Sequence, residues 1–116
     1  MAAAAATLSA ATSVCVIGGG TVGVELAAEV AGRYGTSKHV TLVSSSDRLL
    51  ERMPPSAGAA VAAWLRGRGV RVMTGERVLN QCLSGSAPQT LRVTSGVEFK
   101  ADVVYDCVGF KPLGEV

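Results

Sequence analysis

Between Val14 and Val30 the chain reads VCVIGGGTVGVELAAEV. A short β-branched run stops at three consecutive glycines, and an alanine-rich segment follows at once. Ser13 to Ile17 therefore reads as a buried strand. From Thr21 to Tyr34, Val22, Leu26 and Val30 recur every four residues, which is helical spacing, and Gly35 stops the helix. No ordinary loop separates strand from helix. The helix must then fold straight back along the strand, and the next strand must run parallel to the first.

The rest of the chain continues that alternation. HVTLV (His39 to Val43) predicts a second strand, and SSSDRLLERMPP a loop. SAGAAVAAWLRGRG predicts a second helix, entered at Pro54 and Pro55, where a missing N–H costs little, and closed by Gly67 and Gly69. VRVMTG (Val70 to Gly75) predicts a third strand. ERVLNQCLS, the turn GSAPQ, TLRVTS and VEFKA predict a small antiparallel meander. DVVYDCVG (Asp102 to Gly109) predicts a last strand. The expected fold is α/β: a Rossmann-type βαβαβ parallel sheet with an antiparallel β-meander insertion and helices on both faces. There is no internal repeat.

Composition bounds the function. With 116 residues, 48% of them hydrophobic, the chain can build one domain with a real core. Aromatics are only 4%, so Val, Leu and Ala must fill that core. The net charge is +2 with no run of like charges longer than two, which argues against a nucleic-acid binder. No apolar run approaches the roughly 20 residues of a membrane span. Cys15, Cys82 and Cys107 form neither a CxxC pair nor a zinc spacing, so no metal site is expected. Cys15 and Cys107 lie in apolar runs and read as buried small hydrophobes. An odd cysteine count fits a reducing, intracellular setting, cytoplasmic or mitochondrial. Residues 1–12, acid-free and rich in Ala, read as a disordered leader or tag remnant, the alternative being the remains of a targeting segment. His39, the single histidine, reads as solvent-facing, Trp64 as core packing, and Asp106 as a hydrogen-bond partner of a neighbouring loop. No acid–base pair or nucleophile–base set is present, and no residue is assigned as catalytic.

Gly18-x-Gly20-x-x-Gly23 carries the chemistry. A lone GxGxxG is a weak signal, but here a strand precedes it and a helix follows. Gly18 allows the tight turn. Gly20 leaves room for a pyrophosphate to approach the backbone, and Gly23 lets the helix pack closely on the strand. The helix opening at Thr21 and Val22 offers backbone N–H groups and the positive end of its dipole to phosphates. A dinucleotide is the ligand such a turn suits. A glycine turn without ligand, or an S-adenosylmethionine site, remains an alternative at this point. The second strand should end in an acid that grips the ribose 2′-hydroxyl. Instead Val43 is followed by Ser44, Ser45, Ser46, Asp47 and Arg48. Serines suit a hydroxyl or a 2′-phosphate, and Arg48 suits the phosphate, so NADPH is expected to be at least tolerated; the alternatives are that Arg48 is a solvated loop residue and that Asp47 reaches the ribose instead.

VIGGGTVGVELAAEV, HVTLVSSSDRLL, LRGRGVRVMTGERV and ADVVYDCVGFKP, in this order, resemble the nicotinamide-binding domain of the two-dinucleotide-binding flavoproteins. This is the pyridine nucleotide-disulfide oxidoreductase superfamily. The flavour is that of the apoptosis-inducing-factor-like and ferroptosis-suppressor-like branch, beside the type II NADH dehydrogenases. The resemblance covers about residues 13–113, leaving 114–116 as a tail towards a flavin domain. It implies an NAD(P)H-binding domain that presents NADH or NADPH to FAD, with hydride passing to the flavin and electrons on to a quinone or other acceptor. It implies that Gly18, Gly20 and Gly23 hold the pyrophosphate and that Glu25 contacts the nicotinamide end; the alternative for Glu25 is a first-turn acid that suits the helix dipole. It implies that Ser44, Ser45 and Arg48 line the adenosine-ribose pocket. Gly109 is the close-approach glycine beside the nicotinamide. Full members carry their own FAD-binding glycine motif and a second flavin segment. Neither is in this sequence, so the expectation is the nicotinamide domain alone, able to bind nucleotide but inactive by itself. A stand-alone nucleotide-sensing module is the alternative.

Overall fold

The structure is a computed structural model that describes residues 12–79 and 88–108. Strand β1 (Ser13–Ile17) leads through the glycines into helix α1 (Thr21–Tyr34) and a 3₁₀ turn (Gly35–Ser37). Strand β2 (His39–Val43), helix α2 (Pro55–Gly67) and strand β3 (Arg71–Met73) follow. An antiparallel pair, β4 (Gln89–Arg92) and β5 (Glu98–Ala101), precedes the last strand, β6 (Val103–Asp106). The four-stranded sheet is ordered β3-β2-β1-β6 and all its pairings are parallel. β1 is central: Cys15 pairs with Thr41 on one side and Val104 on the other. Of the expected meander, β4 and β5 form, with Arg92 opposite Glu98, and Val78 adds a single antiparallel bridge to Val93. Residues 80–87 lie outside the described residues.

The strand alternation divides the core in two. Val14, Val16, Leu42 and Val72 face α1 and α2, where they pack on Val24, Ala27, Val30, Ala62 and Leu65. Cys15, Val43 and Val104 face the other way, onto Leu91, Val93 and Ala101 of the hairpin region. Among the described residues both helices therefore lie on one face and the antiparallel pair covers the other. The expectation of helices on both faces fails for a simple reason: a hairpin with one apolar side buries a sheet face as well as a helix does. Each fully buried Leu or Val contributes roughly 1.5–3 kcal/mol relative to exposure. Across the second core, the Arg71 guanidinium lies 4.8 Å from the Phe99 ring centre, tying β3 to β5.

Trp64 corrects another expectation. It is 43% exposed, with the Arg68 guanidinium 4.9 Å from its ring centre. The inward stripe of α2 is Gly58, Ala62 and Leu65, and Trp64 falls off that stripe onto the outer face. α2 does begin as its prolines imply, with Pro54 as N-cap and Pro55 at the first helical position. A Cβ on Gly58 would collide with the Leu49 carbonyl oxygen, so α2 sits directly on the loop that follows β2. Gly32, by contrast, lies in α1 with open space around it.

At the opposite edge Asp102 ties the start of β1 to that of β6. Its carboxylate accepts hydrogen bonds from the Thr12 hydroxyl (2.7 Å), the Thr12 amide (2.9 Å) and the Ser13 amide (3.1 Å). Its own amide donates to the Ser13 carbonyl at 2.9 Å. The Thr12 hydroxyl first, then the two amides, hold the Asp102 carboxyl below its ordinary value of 3.8. A depressed carboxylate contributes stability that is present above its unfolded value and is lost as pH falls through its folded value. The melting-temperature gap between wild type and Asp102→Asn should thus be full at neutral pH and close below about pH 4. A gap that stays constant down to pH 2 removes Asp102 as the anchor. In a second comparison, Gly58→Ala should cost about 1–3 kcal/mol in denaturant unfolding through overpacking. Gly32→Ala should add about 0.5–1 kcal/mol, and equal effects at the two glycines contradict the α2–loop contact.

Candidate functional site

The chain steps outward through β1, β2 and β3, then returns past β1 to β6. β1 and β6 therefore flank the topological switch point of the sheet, and ligands of open parallel sheets bind at the carboxyl ends of the strands there. Three described segments follow those strand ends: the glycine turn after β1, the Ser44–Pro54 loop after β2, and Cys107–Val108 after β6.

The glycine turn is built by its surroundings. Gly18 has φ +123°, a conformation L side chains rarely adopt, and its amide donates to the Val43 carbonyl at 2.7 Å. A Cβ there would also press on Cys107 and the Val108 amide at 3.3–3.4 Å. A Cβ on Gly23 would run into the Gly18 carbonyl oxygen, so the first turn of α1 rests on the loop that starts it. Gly20 differs. It is the exposed N-cap of α1, at φ −79° and ψ −170°, a conformation open to any residue, and among the described residues nothing occupies the space a Cβ would take. No side chain caps this helix and its first turn holds no acid. The first N–H groups of α1, those of exposed Thr21 and half-buried Val22 among them, therefore have no intrahelical acceptor and no carboxylate competing for them. That cradle fits a pyrophosphate. Glu25, the fifth residue of α1, is exposed. It lies beyond the first turn, which leaves the dipole alternative for it weak.

The loop after β2 folds back over the glycines. Ser44 is 2% exposed. Its side chain lies beneath Gly19, where a Cβ would collide with the Ser44 hydroxyl, and its Oγ accepts from the Ser46 amide at 3.3 Å. Ser44, expected to line the adenosine-ribose pocket, is thus a buried residue packed against the glycine turn. Ser45 and Arg48 are exposed. The Arg48 guanidinium donates to the Glu51 carbonyl at 3.1 Å, and the Ser46 hydroxyl donates to the Glu51 carboxylate at 2.8 Å. Leu49 is fully buried against the same glycine, and the Leu50 amide donates to the Gly19 carbonyl at 2.9 Å. Spacing alone does not reveal Gly19, Leu49 and Leu50. The available signal is the apolar pair Leu49–Leu50 in an otherwise polar loop, which marks a return to the core. Gly109 lies outside the described residues. Asp106 accepts from the Val108 amide at 3.0 Å, a loop contact of the expected kind.

The sequence matches the pyridine nucleotide-disulphide oxidoreductase family over residues 2–115. The chain belongs to this family. It is 36% identical over 102 residues to Fe-regulated protein 8 of Mycosarcoma maydis, an alignment covering 88% of this chain and 25% of that protein. It is 33% identical over 111 residues to the type II NADH:quinone oxidoreductase of Haemophilus influenzae, covering 85% of this chain and 24% of that one. Its fold matches a ferredoxin reductase from Rhodopseudomonas palustris with a TM-score of 0.78 at 24% identity, over 90% of this chain and 25% of the other. The chain thus spans about a quarter of the length of these proteins. NAD(P)H and FAD, the cofactors implied by the sequence resemblance, are those of the family.

Two of the three cysteines, Cys15 and Cys107, lie among the described residues. Cys15 is fully buried and Cys107 is half-buried and free. Burial, and then the Asp106 carboxylate beside it, push the Cys107 thiol above its ordinary value. A thiol shifted upward carries less thiolate at neutral pH and is a poor nucleophile. Among the described residues no group of His, Cys, Asp or Glu could hold a metal, and no helix is long and apolar enough to cross a membrane. Alkylation by iodoacetamide at pH 7, followed site by site by mass spectrometry, should label Cys107 more slowly than a free cysteine peptide. Faster labelling contradicts this assignment.

Proposed function

We propose that this chain is the NAD(P)H-binding domain, residues 13–113, of an FAD-dependent oxidoreductase. The observation that carries the reading is the open space at Gly20, on the uncapped start of α1 at the carboxyl end of β1. When bound, NAD(P)H supplies a hydride and the flavin receives it, and electrons pass on to a quinone or other acceptor. A quinone is favoured by the similarity to the type II NADH:quinone oxidoreductase of Haemophilus influenzae. The flavin lies mainly on a domain beyond residues 114–116, and the setting is intracellular.

The roles of this chain's residues are to bind and orient. Gly18 and Gly23 shape the turn. The backbone around Gly20, Thr21 and Val22 holds the pyrophosphate through N–H groups and the helix dipole. Glu25 sits further along α1, towards the nicotinamide end. Ser45 takes the adenosine ribose and Arg48 the 2′-phosphate of NADPH, while Ser44 supports them from beneath. Gly109, which lies outside the described residues, is assigned to the nicotinamide side by the sequence resemblance alone.

Fluorescence titration with NADH and NADPH tests this. Wild type should bind both saturably. Gly20→Val should stay folded, losing only about 1 kcal/mol as a poorer N-cap because the site is open and its backbone ordinary, yet weaken both nucleotides by at least about tenfold. Arg48→Ala should weaken NADPH by about tenfold and NADH by less than about twofold. No binding by wild type, or full binding by Gly20→Val, overturns the reading.

A further inference from the structure

Leu50 is the one non-glycine among the described residues with a positive φ, +52°. That left-handed conformation is costly for leucine, and the surroundings hold it from several sides. The Leu50 amide donates to the Gly19 carbonyl at 2.9 Å and the Leu50 carbonyl accepts from the Met53 amide at 2.8 Å. Leu49 before it is fully buried, with its carbonyl directly over Gly58. Glu51 after it is tied to Ser46 and Arg48. The Leu50 side chain itself packs against the core. Backbone strain kept in place this firmly marks a conformation with a use.

The use follows from the planarity of one peptide. The Gly19–Gly20 peptide is trans, and in a trans peptide the C=O and N–H point in opposite directions. Drawing the Gly19 carbonyl onto the Leu50 amide turns the Gly20 N–H away from that loop. Gly20 is exposed and the space around it is open. The loop also closes on Gly19 from that side, since a Cβ there would collide with the Ser44 side chain and press on Leu49. We infer that Leu50 is a positioning residue: its strained backbone amide fixes the Gly19–Gly20 peptide so that the Gly20 N–H faces the dinucleotide pyrophosphate. This rests on the dinucleotide reading above. It also ties the two halves of the site, since the loop carrying Ser45 and Arg48 sets the phosphate cradle.

The test replaces the Leu50 amide by an ester, using the α-hydroxy analogue of leucine in this chain. The side chain stays and only the donor is lost. Binding of ADP-ribose and of adenosine is then measured, with the Gly20 amide signal followed by NMR. The inference expects ADP-ribose to weaken by about tenfold and adenosine, which has no phosphate, to be unchanged. It expects the Gly20 amide to lose most of its shift on ADP-ribose addition. A merely structural role for Leu50 would weaken both ligands alike or neither. Leu50→Asn, which keeps the amide and takes the left-handed conformation readily, should bind ADP-ribose within about twofold of wild type. Residual dipolar couplings of wild type alone must place the Gly20 N–H pointing away from Leu50. Wild type that binds neither ADP-ribose nor NADH sinks the dinucleotide reading and the inference together. Wild type that binds, with an ester variant that binds equally well, sinks the inference alone.

Discussion

Everything at the carboxyl edge of the sheet depends on the contact between Gly23 and the Gly18 carbonyl. It brings the first turn of α1 down onto the end of β1, so that the helix starts at the sheet edge rather than several residues beyond it. Val24, Ala27, Val30 and Ala31 then fall on Val14 and Val16, and the larger core closes. A side chain at position 23 would lift the helix, open that core and move the uncapped N–H groups together. Core packing and anion recognition are thus not separate properties of this loop. The same steric constraint sets both.

How much of this was legible in the sequence depends on how local each feature is. β1, α1 and β2 occupy the residues that their patterns predict, because strand, glycine and helix signals are short-range. Gly18 and Gly23 are legible for the same reason: their roles are set within six residues. The face on which each layer packs is not local. Nothing in TLRVTS or VEFKA says that this hairpin covers the sheet face opposite the helices, and the expectation of helices on both faces was wrong. Trp64 misled because its size suggests burial, while the α2 stripe of Gly58, Ala62 and Leu65 excludes it. The burial of Ser44 is not legible, because the loop that folds back over it is set by distant contacts. The apolar pair Leu49–Leu50 is a signal, but the backbone conformation of Leu50 is not, since a positive φ in leucine has no sequence signature.

The loop after β2 does two jobs that pull in different directions. It must be polar, to face a ribose or a 2′-phosphate, and it must be anchored, to press on the glycines. The sequence separates the jobs by position. Ser45, Asp47 and Arg48 are exposed, whereas Ser44 and Leu49 are buried. The hydrogen bonds of Glu51 with Ser46 and Arg48 close the loop on itself, which lowers the entropy cost of holding the exposed residues in place. The Arg48 guanidinium spends one of its five N–H donors on the Glu51 carbonyl, and its side chain is exposed, so on the proposed reading that bond orients it without excluding a 2′-phosphate.

Three of the four glycines in the turn are explained by the protein's own packing. Gly18 has its positive φ and the Cys107 contact, Gly19 has Ser44 and Leu49 behind it, and Gly23 has the Gly18 carbonyl. A fold with no ligand would need those three as much as a fold with one. Gly20 is different, because its backbone suits any residue and its surroundings are empty. Glycine is also a weaker N-cap than serine or aspartate, so stability alone would favour replacing it. A position where the fold permits a side chain, and helix stability favours one, points to a demand from outside the chain. The dipole and free N–H groups at that point say that the demand is anionic. This is why the argument for a phosphate-bearing ligand rests on Gly20 rather than on the glycine motif as a whole.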